Sequence, residues 1–350
     1  FCTLLTLSPH DMPELHLVLT CVCLTLSIVH SASATSAGAT TRHVNWKPSC
    51  VRPPYCEDFE ISASQRARCK VDGVLKSWLP ALPAIRLRDA PAEYAMARLE
   101  QLLHRNVKGQ DHVVDDIIRD IRLKLRRPSD PLVMHFAGDN GVGKTSTANW
   151  ISAALSVRCH PRVQSWMCSQ GDGLLSFSGT NYHGMEPSQF RRKFTKDVID
   201  HAEAYPHGVV VVNDLMSLDP ELVPVLMPLF GRGDHFPEAP HVDLRTLIVI
   251  VTTDFGVEGR TRNKTIHEVS QLIEAEVRGV FGNLAGSHMR TYPFVPLSLN
   301  DGEEMVKLAL EDWACEMQAG YLSYDAALPT ILVEQCMESI AMENGRAVSR

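Results

Sequence analysis

Residues Gly138–Thr145 read Gly-Asp-Asn-Gly-Val-Gly-Lys-Thr, which is the pattern G-x-x-x-x-G-K-T. Glycines let the backbone turn tightly and approach phosphate oxygens without a Cβ in the way. Successive backbone N–H groups, followed by a helix N-terminus, direct partial positive charge at an anion. In this pattern the lysine, Lys144, reaches the β- and γ-phosphates, and the Thr145 hydroxyl is a magnesium ligand. The stretch therefore predicts a phosphate-binding loop.

The segments on either side of the loop have the patterns of a strand and a helix. Leu132–Ala137 is an apolar run that leads into the loop, and Thr145–Ser156 has helical patterning after it. The alternative for the same residues is a structural glycine-rich turn. A strand before the loop and a helix after it favour the phosphate-binding interpretation, because that motif requires this context.

Further apolar runs alternate with helical patterns along the chain. Gly208–Val212 and Leu244–Thr252 are continuous apolar runs. The segment before Gly208–Val212, Pro187–Tyr205, is helical in pattern. Runs that are apolar on both faces and are separated by helices indicate a buried parallel sheet. Val163–Met167 is a weaker strand pattern. Other helices are predicted at Ala92–His104, after Gly109 (Val113, Val114, Ile117, Ile118, Ile121 and Leu125 on one face), and at Pro220–Phe230, Gly302–Gln318 and Ala326–Glu343.

These patterns divide the chain into four parts. The predicted fold class is α/β, with a three-layer parallel-sheet P-loop domain at 91–298 and a small helical lid at 299–350. Residues 35–90 are a linker that contains cysteines and prolines. Leu15–Val29 is apolar, and small residues follow it at Ser31–Ala34, so residues 1–34 are predicted to be a signal peptide or signal-anchor. The alternative is a buried helix. Because Met12 is the first methionine, we expect the residues before it to precede the natural start.

Composition excludes several classes of protein. The chain has 350 residues, of which 45% are apolar and 21% charged, which is globular and not disordered or coiled-coil composition. The formal net charge is -7, without a cluster of Lys and Arg, so no nucleic-acid partner is expected. Cys50, Cys56 and Cys69 lie in the Pro-rich linker without a Cys-x-x-Cys pair, which favours disulfides over a zinc site.

A second acidic site follows the run Gly208–Val212. A P-loop ATPase needs a carboxylate there for Mg²⁺, and usually a glutamate after it to activate the attacking water. This chain has Asn213-Asp214 instead. In one register Asn213 replaces the magnesium aspartate and Asp214 is a shortened base; in the other, Asp214 holds magnesium and no base follows. A third interpretation is a polar cap at the strand end.

Six stretches resemble AAA+ ATPases of the Clp-related group and, within it, the torsins. Asn106–Gln110 is similar to the adenine-proximal segment and Gly138–Thr145 to Walker A. Val209–Asp214 with Leu218–Phe230 is similar to Walker B with its following helix, and Ile248–Gly256 to the sensor 1 strand. Tyr292–Leu297 is similar to the entry to the lid and Asn344–Ala347 to sensor 2.

The resemblance implies an AAA+ fold, ATP and Mg²⁺ as cofactors, and hydrolysis of ATP. It implies protein clients, a homo-oligomeric ring or helix, and a place in the lumen of the endoplasmic reticulum or nuclear envelope. Thr145 and Asp214 would bind magnesium, and the catalytic set would be Asn213, Asp214, Asp254 as sensor 1 and Arg346 as sensor 2. The nucleotide would contact Val107, Gly138, Asp139, Asn140, Gly141, Val142, Gly143, Lys144, Thr145 and Ser146.

The chain also departs from the torsin pattern. Torsins have Asp-Glu at Walker B, Asn after the P-loop lysine, and Asn at sensor 1, where this chain has Asp254. The Clp arginine-finger position falls on Ser287, and nearby Arg290 is expected to be a surface ion pair. The resemblance therefore implies a membrane-anchored activator that supplies an arginine, which can raise turnover by orders of magnitude.

Three hypotheses about function follow. The leading one is a secretory-pathway torsin-like ATPase that remodels proteins, with activity weakened by Asn213-Asp214. The first alternative is a pseudo-ATPase scaffold that binds ATP without turnover. The second is a Clp-type unfoldase, in which Phe177 and Tyr182 of the segment 175–184 would be pore-loop aromatics and not ordinary packing residues.

Overall fold

The computed structural model describes residues 43–48, 92–160, 165–168, 173–205, 207–254, 261, 264–281 and 289–335. The predicted signal peptide, the cysteines at 50, 56 and 69, Ser287 and Arg346 lie outside these residues. The strands in chain order are β1 His43–Trp46, β2 Leu132–Gly138, β3 Val157–His160, β4 Ser165–Cys168, β5 Leu174–Ser178, β6 Val209–Asn213, β7 Ile248–Asp254, β8 Met289–Phe294 and β9 Leu322–Asp325. The helices are α1 Ala92–Asn106, α2 Asp111–Arg126, α3 Lys144–Leu155, α4 Pro187–Ala204, α5 Val223–Leu226, α6 Ile266–Phe281, α7 Leu299–Glu316 and α8 Leu328–Gln335.

A five-stranded parallel sheet forms the centre of the molecule, in the order β5-β6-β7-β2-β8. The predicted parallel sheet is therefore confirmed. Gly138 at the end of β2 is in register with Asp254 at the end of β7, and Ser178 of β5 is in register with Asn213 of β6. The carboxyl ends of these strands consequently meet at one edge of the sheet.

Both faces of the sheet are covered, which explains the continuous apolar runs. Val209 and Val211 belong to a core cluster with α1, α2 and α3, whereas Val210 and Val212 belong to a second cluster with α4. Successive side chains of a strand point to opposite faces, so a strand buried on both sides needs apolar residues throughout.

The segment 220–230 is not the single helix that its apolar pattern predicts. Only Val223–Leu226 is α-helical, and Pro228–Arg232 forms a separate wide turn with Gly231 at φ 80°. Pro224 and Pro228 lack the N–H that a continuous helix needs, and this interrupts the helix despite its apolar pattern.

The second strand of the main sheet is also not where the sequence pattern placed it. The pattern predicted Val163–Met167, but β4 pairs antiparallel with β3 in a separate two-stranded sheet. Its place in the main sheet is taken by β5, which the sequence interpretation treated as a loop.

Four further strands, β1, β3, β8 and β9, were not predicted. β8 contains Pro293 and is an edge strand, the position where a missing N–H is tolerated. β1, inside the predicted linker, pairs antiparallel with β9 of the lid. Among the described residues, none of the helices is both long and apolar enough to cross a membrane.

His135 on β2 is fully buried between two hydroxyl groups. Its Nε2 lies 2.8 Å from Thr253 Oγ1, and its Nδ1 lies 3.2 Å from Thr291 Oγ1. Burial, with a smaller contribution from the charge of Lys144, lowers the pKa of His135 from 6.5 to about 4. The folded protein therefore holds this ring neutral.

We expect His135 to make the protein less stable in mild acid. The pKa of His135 in the folded state lies below the ordinary value of 6.5. Its contribution to the free energy of unfolding is therefore present above pH 6.5 and is lost as pH falls toward 4. Between pH 7 and pH 5 the free energy of unfolding should fall by about 2 kcal/mol more in wild type than in His135→Gln. Urea unfolding at both pH values measures this, and equal losses in the two proteins would contradict it.

Candidate functional site

A cleft of about 390 Å³ opens at the carboxyl edge of the sheet. That volume lies in the range of small-ligand sites. One wall is the loop and the start of α3, the opposite wall is formed by the ends of β5, β6 and β7, and the third side comes from 106–108 and the lid. The lining residues are Asn106, Val107, Lys108, Gly141, Val142, Gly143, Lys144, Thr145, Ser146, Ser178, Asn213, Asp214, Thr252, Asp254, Leu297 and Met305.

The glycines of the loop have different functions. Gly141 and Gly143 have φ of 74° and 98°, the left-handed conformation that favours glycine, and Gly143 is the N-cap of α3. Gly138, by contrast, is needed by the fold, because a Cβ there would collide with the carbonyl oxygen of Phe294 on β8. Of the nine predicted residues from 138 to 146, Gly138, Asp139 and Asn140 are absent from the described lining of the cleft.

Lys144 is buried, with 6% of its side chain exposed. Its Nζ donates to the carbonyl oxygens of Gly138 and Asp139 at 3.0 and 2.6 Å, and it lies 2.5 Å from Asp254 Oδ1. Burial lowers the pKa of Lys144, and the negative charge of Asp254 is the largest influence in the opposite direction. The lysine thus has a carboxylate partner inside the cleft.

Asn213 is the polar residue of β6 that faces the loop. Its Oδ1 accepts hydrogen bonds from the hydroxyls of Thr145, at 3.3 Å, and Thr252, at 3.2 Å. Its Nδ2 donates to Ser176 Oγ at 3.0 Å. This contact with Thr145 supports the first of the two registers, in which Asn213 occupies the magnesium position.

Asp214 follows Asn213 in the left-handed conformation, at φ 53° and ψ 53°. Its backbone N–H donates to Thr252 Oγ1 at 3.1 Å. It precedes a short 3₁₀ turn, but its side chain makes no capping hydrogen bond to that turn. Asp214 also lines the cleft, next to Asn213.

The segment before α2 is fastened to the start of the lid. Gln110 is fully buried, and its Nε2 donates to Val295 O at 2.8 Å while its Oε1 accepts from Val295 N at 3.0 Å. Val107 is buried and lines the cleft. The side chain of Asp139 accepts from Thr261 Oγ1 at 2.6 Å.

Two alternatives that the sequence left open are settled by contacts. Arg290 is ion-paired with Asp116, at 3.2 Å, and with Asp120, so the surface ion-pair interpretation is confirmed.

Phe177 and Tyr182 are buried, and the ring of Phe177 lies 4.5 Å from that of Phe194. The pore-loop role of these two aromatics is therefore wrong, because both are packed in the core.

Some lining residues were missed. Thr252 lies on β7 two residues before Asp254, so the two-residue period of a strand would have placed both on one face. Ser178 was missed because β5 had not been recognised as a strand. Met305 and Leu297 come from the lid and its entry, and no local pattern connects them to the cleft.

Comparison with known proteins finds chaperones of the Clp group among the proteins that this chain resembles. No protein-family model matches the chain. It is similar to the ClpA homolog protein of Fuscovulum blasticum, at 25% identity over 236 residues, covering 63% of this chain and 28% of that protein. It is also similar to the chaperone protein ClpB of Porphyromonas gingivalis, at 25% over 235 residues, covering 62% and 26%. The chain spans about a quarter of the length of these relatives.

Solved structures agree at the level of the fold. The S. cerevisiae Hsp104-ADP complex matches with a TM-score of 0.56 at 16% identity, covering 78% of this chain and 48% of that one. A closed-state reconstruction of Hsp104 with ATPγS and FITC casein matches with a TM-score of 0.54 at 16% identity, covering 74% and 44%. The predicted AAA+ α/β fold is confirmed, and the sequence relatives are AAA+ chaperones of the Clp and Hsp100 group.

Restoring a carboxylate at position 213 should strengthen magnesium-dependent nucleotide binding. In Asn213→Asp the new charge would face Thr145, and we expect the ratio of affinities with Mg²⁺ and with EDTA to rise about tenfold. Asn45→Asp on β1 is the control, because it adds the same charge far along the chain and keeps the acceptor used by Ser323. Calorimetric titration with ATPγS, with Mg²⁺ and with EDTA, measures this ratio. If the ratio is unchanged in Asn213→Asp, the side chain at position 213 does not contribute to magnesium binding.

Proposed function

We propose that this protein is a Clp-type AAA+ ATPase that binds Mg-ATP and remodels other proteins. One observation carries the proposal: Lys144 and Thr145 on one wall of the cleft face Asn213, Asp214 and Asp254 on the other. A phosphate-binding loop opposite acidic strand ends is the arrangement that phosphoryl transfer to water requires.

The relatives support ATP as ligand and proteins as clients. One similar protein, of Chlamydia pneumoniae, is a probable ATP-dependent Clp protease ATP-binding subunit, at 26% identity over 209 residues. The Hsp104 structures were solved with ATPγS and casein, and with ADP. By analogy with this group we propose a homo-oligomeric assembly for the present chain.

The residues present fit Mg-ATP. Thr145 Oγ1 and Asn213 Oδ1 are oxygen donors 3.3 Å apart, and magnesium prefers oxygen ligands. Bound Mg-ATP would supply the γ-phosphoryl group that is transferred to water. Loop N–H groups from Gly141 to Thr145 would bind the phosphates, Lys144 would neutralise their charge, and Asp214 would accept a proton from the attacking water. Asn213 brings no charge and Asp214 is one methylene shorter than glutamate, so both contributions are weaker than those of Asp-Glu.

The narrower hypothesis is a torsin-like enzyme of the secretory pathway. Its support is the sequence from Tyr292 to Leu297, the Walker B segment with its following helix, and a disulfide bond at Cys315, which suits an oxidising compartment. The relatives are Clp and Hsp100 chaperones, so the broader Clp-type assignment has more support. Because Arg290 is held by Asp116 and Asp120, an activator that supplies an arginine remains part of this hypothesis.

A second candidate function is an ATP-binding scaffold without turnover. It is favoured by the neutral Asn213 side chain at the magnesium position. In that case the ATP-bound shape of the protein would regulate a partner.

Binding and single-turnover hydrolysis of ATP by the full chain separate these candidates. Lys144→Ala should weaken ATP binding about 100-fold or more, because it removes the only buried ammonium found among the described lining residues. Asp214→Asn should bind ATP within about threefold of wild type but hydrolyse it about 100-fold more slowly. The control Lys196→Ala removes an exposed lysine of α4 and should behave as wild type.

Three results have different meanings. Slow hydrolysis by wild type that Asp214→Asn abolishes supports the ATPase. Tight binding without any turnover, with or without a candidate activator, supports the scaffold. Equal affinity in wild type and Lys144→Ala would overturn both, because the loop would then not be the nucleotide site.

A further inference from the structure

All three N–H donors of the Lys144 ammonium already have acceptors within the protein. Two are the carbonyl oxygens of Gly138 and Asp139, and the third is Asp254 Oδ1 at 2.5 Å. An ammonium has three donors and no acceptor, so a phosphate can bind Lys144 only by displacing one of these partners. The two carbonyls belong to the loop backbone, which leaves Asp254 as the partner that a ligand would displace.

Asp254 is more exposed to the cleft than Lys144, although both line it. The side chain of Asp254 is 27% exposed and that of Lys144 is 6% exposed. Asp254 ends β7 beside β6, so its carboxylate lies on the wall that carries Asn213 and Asp214. In a P-loop site the loop N–H groups surround the inner phosphates, and the acidic wall faces the terminal one. The carboxylate therefore occupies the side of Lys144 where a γ-phosphate would bind.

We propose that Asp254 is an internal substitute for the γ-phosphate, which it mimics by pairing with Lys144, and that it selects nucleoside diphosphates over triphosphates. This inference rests on the proposed nucleotide site. A diphosphate binds the loop without reaching the acidic wall. A triphosphate brings additional negative charge against Asp254 and must also separate the Lys144–Asp254 pair. Asp254 is partly shielded from water, so salt would screen the repulsion between its carboxylate and a triphosphate less than it screens charges at a surface.

The charges that surround the pair support a role for Asp254 in particular. The Asp139 carboxylate accepts from Thr261 Oγ1, and the Lys144 ammonium contacts the backbone carbonyl of Asp139. Asp254 is the carboxylate whose oxygen lies 2.5 Å from the Lys144 ammonium. Removing the charge at 254 therefore removes the direct competitor and leaves the other acidic groups in place.

The test is the affinity of the full chain for ATPγS and for ADP, both with Mg²⁺, by calorimetry. Asp254→Asn should bind ATPγS about tenfold or more tightly than wild type, and ADP within about threefold of wild type. Asp254→Glu keeps the negative charge, so its ratio of ATPγS affinity to ADP affinity should equal that of wild type. Asp115→Asn is the matched control, because Asp115 is 79% exposed on α2 and does not belong to the described lining. If Asp254→Asn does not fold, Asp254→Ser replaces it.

A second measurement does not depend on nucleotide. Without ligand, Asp254→Asn should melt at a lower temperature than wild type and Asp115→Asn, because a buried ammonium loses its counter-ion. Unchanged melting would show that the ion pair is absent and would overturn the proposal. Should neither wild type nor Asp254→Asn bind nucleotide while the melting difference is present, the proposed function fails and the ion pair stands as a purely structural contact.

Two further outcomes would also overturn the proposal. Equal tightening for ATPγS and ADP would mean that Asp254 competes for Lys144 without discriminating between nucleotides. Weaker binding of ATPγS by Asp254→Asn with Mg²⁺, but not with EDTA, would mean that Asp254 is a metal ligand.

Discussion

The register of the parallel sheet is the constraint on which the site depends. Gly138 and Asp254 are paired across β2 and β7, and Asn213 ends β6 directly after Val212, which is paired with Val251 of β7. Parallel strands whose carboxyl ends coincide bring loops and polar residues from distant parts of the sequence to one edge. A shift of one residue in β7 would turn Asp254 to the opposite face of the sheet and separate it from Lys144.

Within this frame the distribution of charge differs from the pattern that the chain resembles. The resemblance expects a carboxylate at 213 and an amide at 254, and the chain has the reverse. In this chain the carboxylate is on the neighbouring strand β7, where Asp254 Oδ1 lies 2.5 Å from the Lys144 ammonium, and the amide oxygen of Asn213 on β6 accepts from the Thr145 hydroxyl. The site thus keeps its number of carboxylates at 213 and 254 while changing which phosphate-binding group they face.

The sequence allowed the elements with continuous patterns to be predicted well. The loop, β2, β6, β7 and α2 were found because apolar runs and helical periodicity extend over many residues. β5 was not found, because Leu174–Ser178 is short and only one of its five residues is fully buried. The break in 220–230 depends on two prolines inside an otherwise apolar segment, and the pairing of β1 with β9 joins residues almost 280 positions apart, which no local pattern reports.

The site itself was predictable as a set of residues but not as a set of contacts. Motif spacing identified Lys144, Asn213 and Asp254, yet the register of Asn213-Asp214 depends on which side chain faces Thr145. That is decided by the pleat of β6 against β7, which only the assembled sheet shows. The Lys144–Asp254 pair likewise arises because two strand ends are adjacent, although 110 residues separate them in sequence.

The connection between the cleft and the lid follows from the same architecture. Residues 106–108 form part of the cleft, and Gln110 directly after them is bonded to Val295 at the entry to the lid. On α1, Arg105 forms ion pairs with Glu311 and Asp312 of α7, at 3.5 and 3.2 Å. A ligand in the cleft therefore touches a segment that is fastened to the lid on both sides. Leu297 and Met305 also line the cleft, so the residues around it come both from the ends of the sheet and from the segment that follows β8.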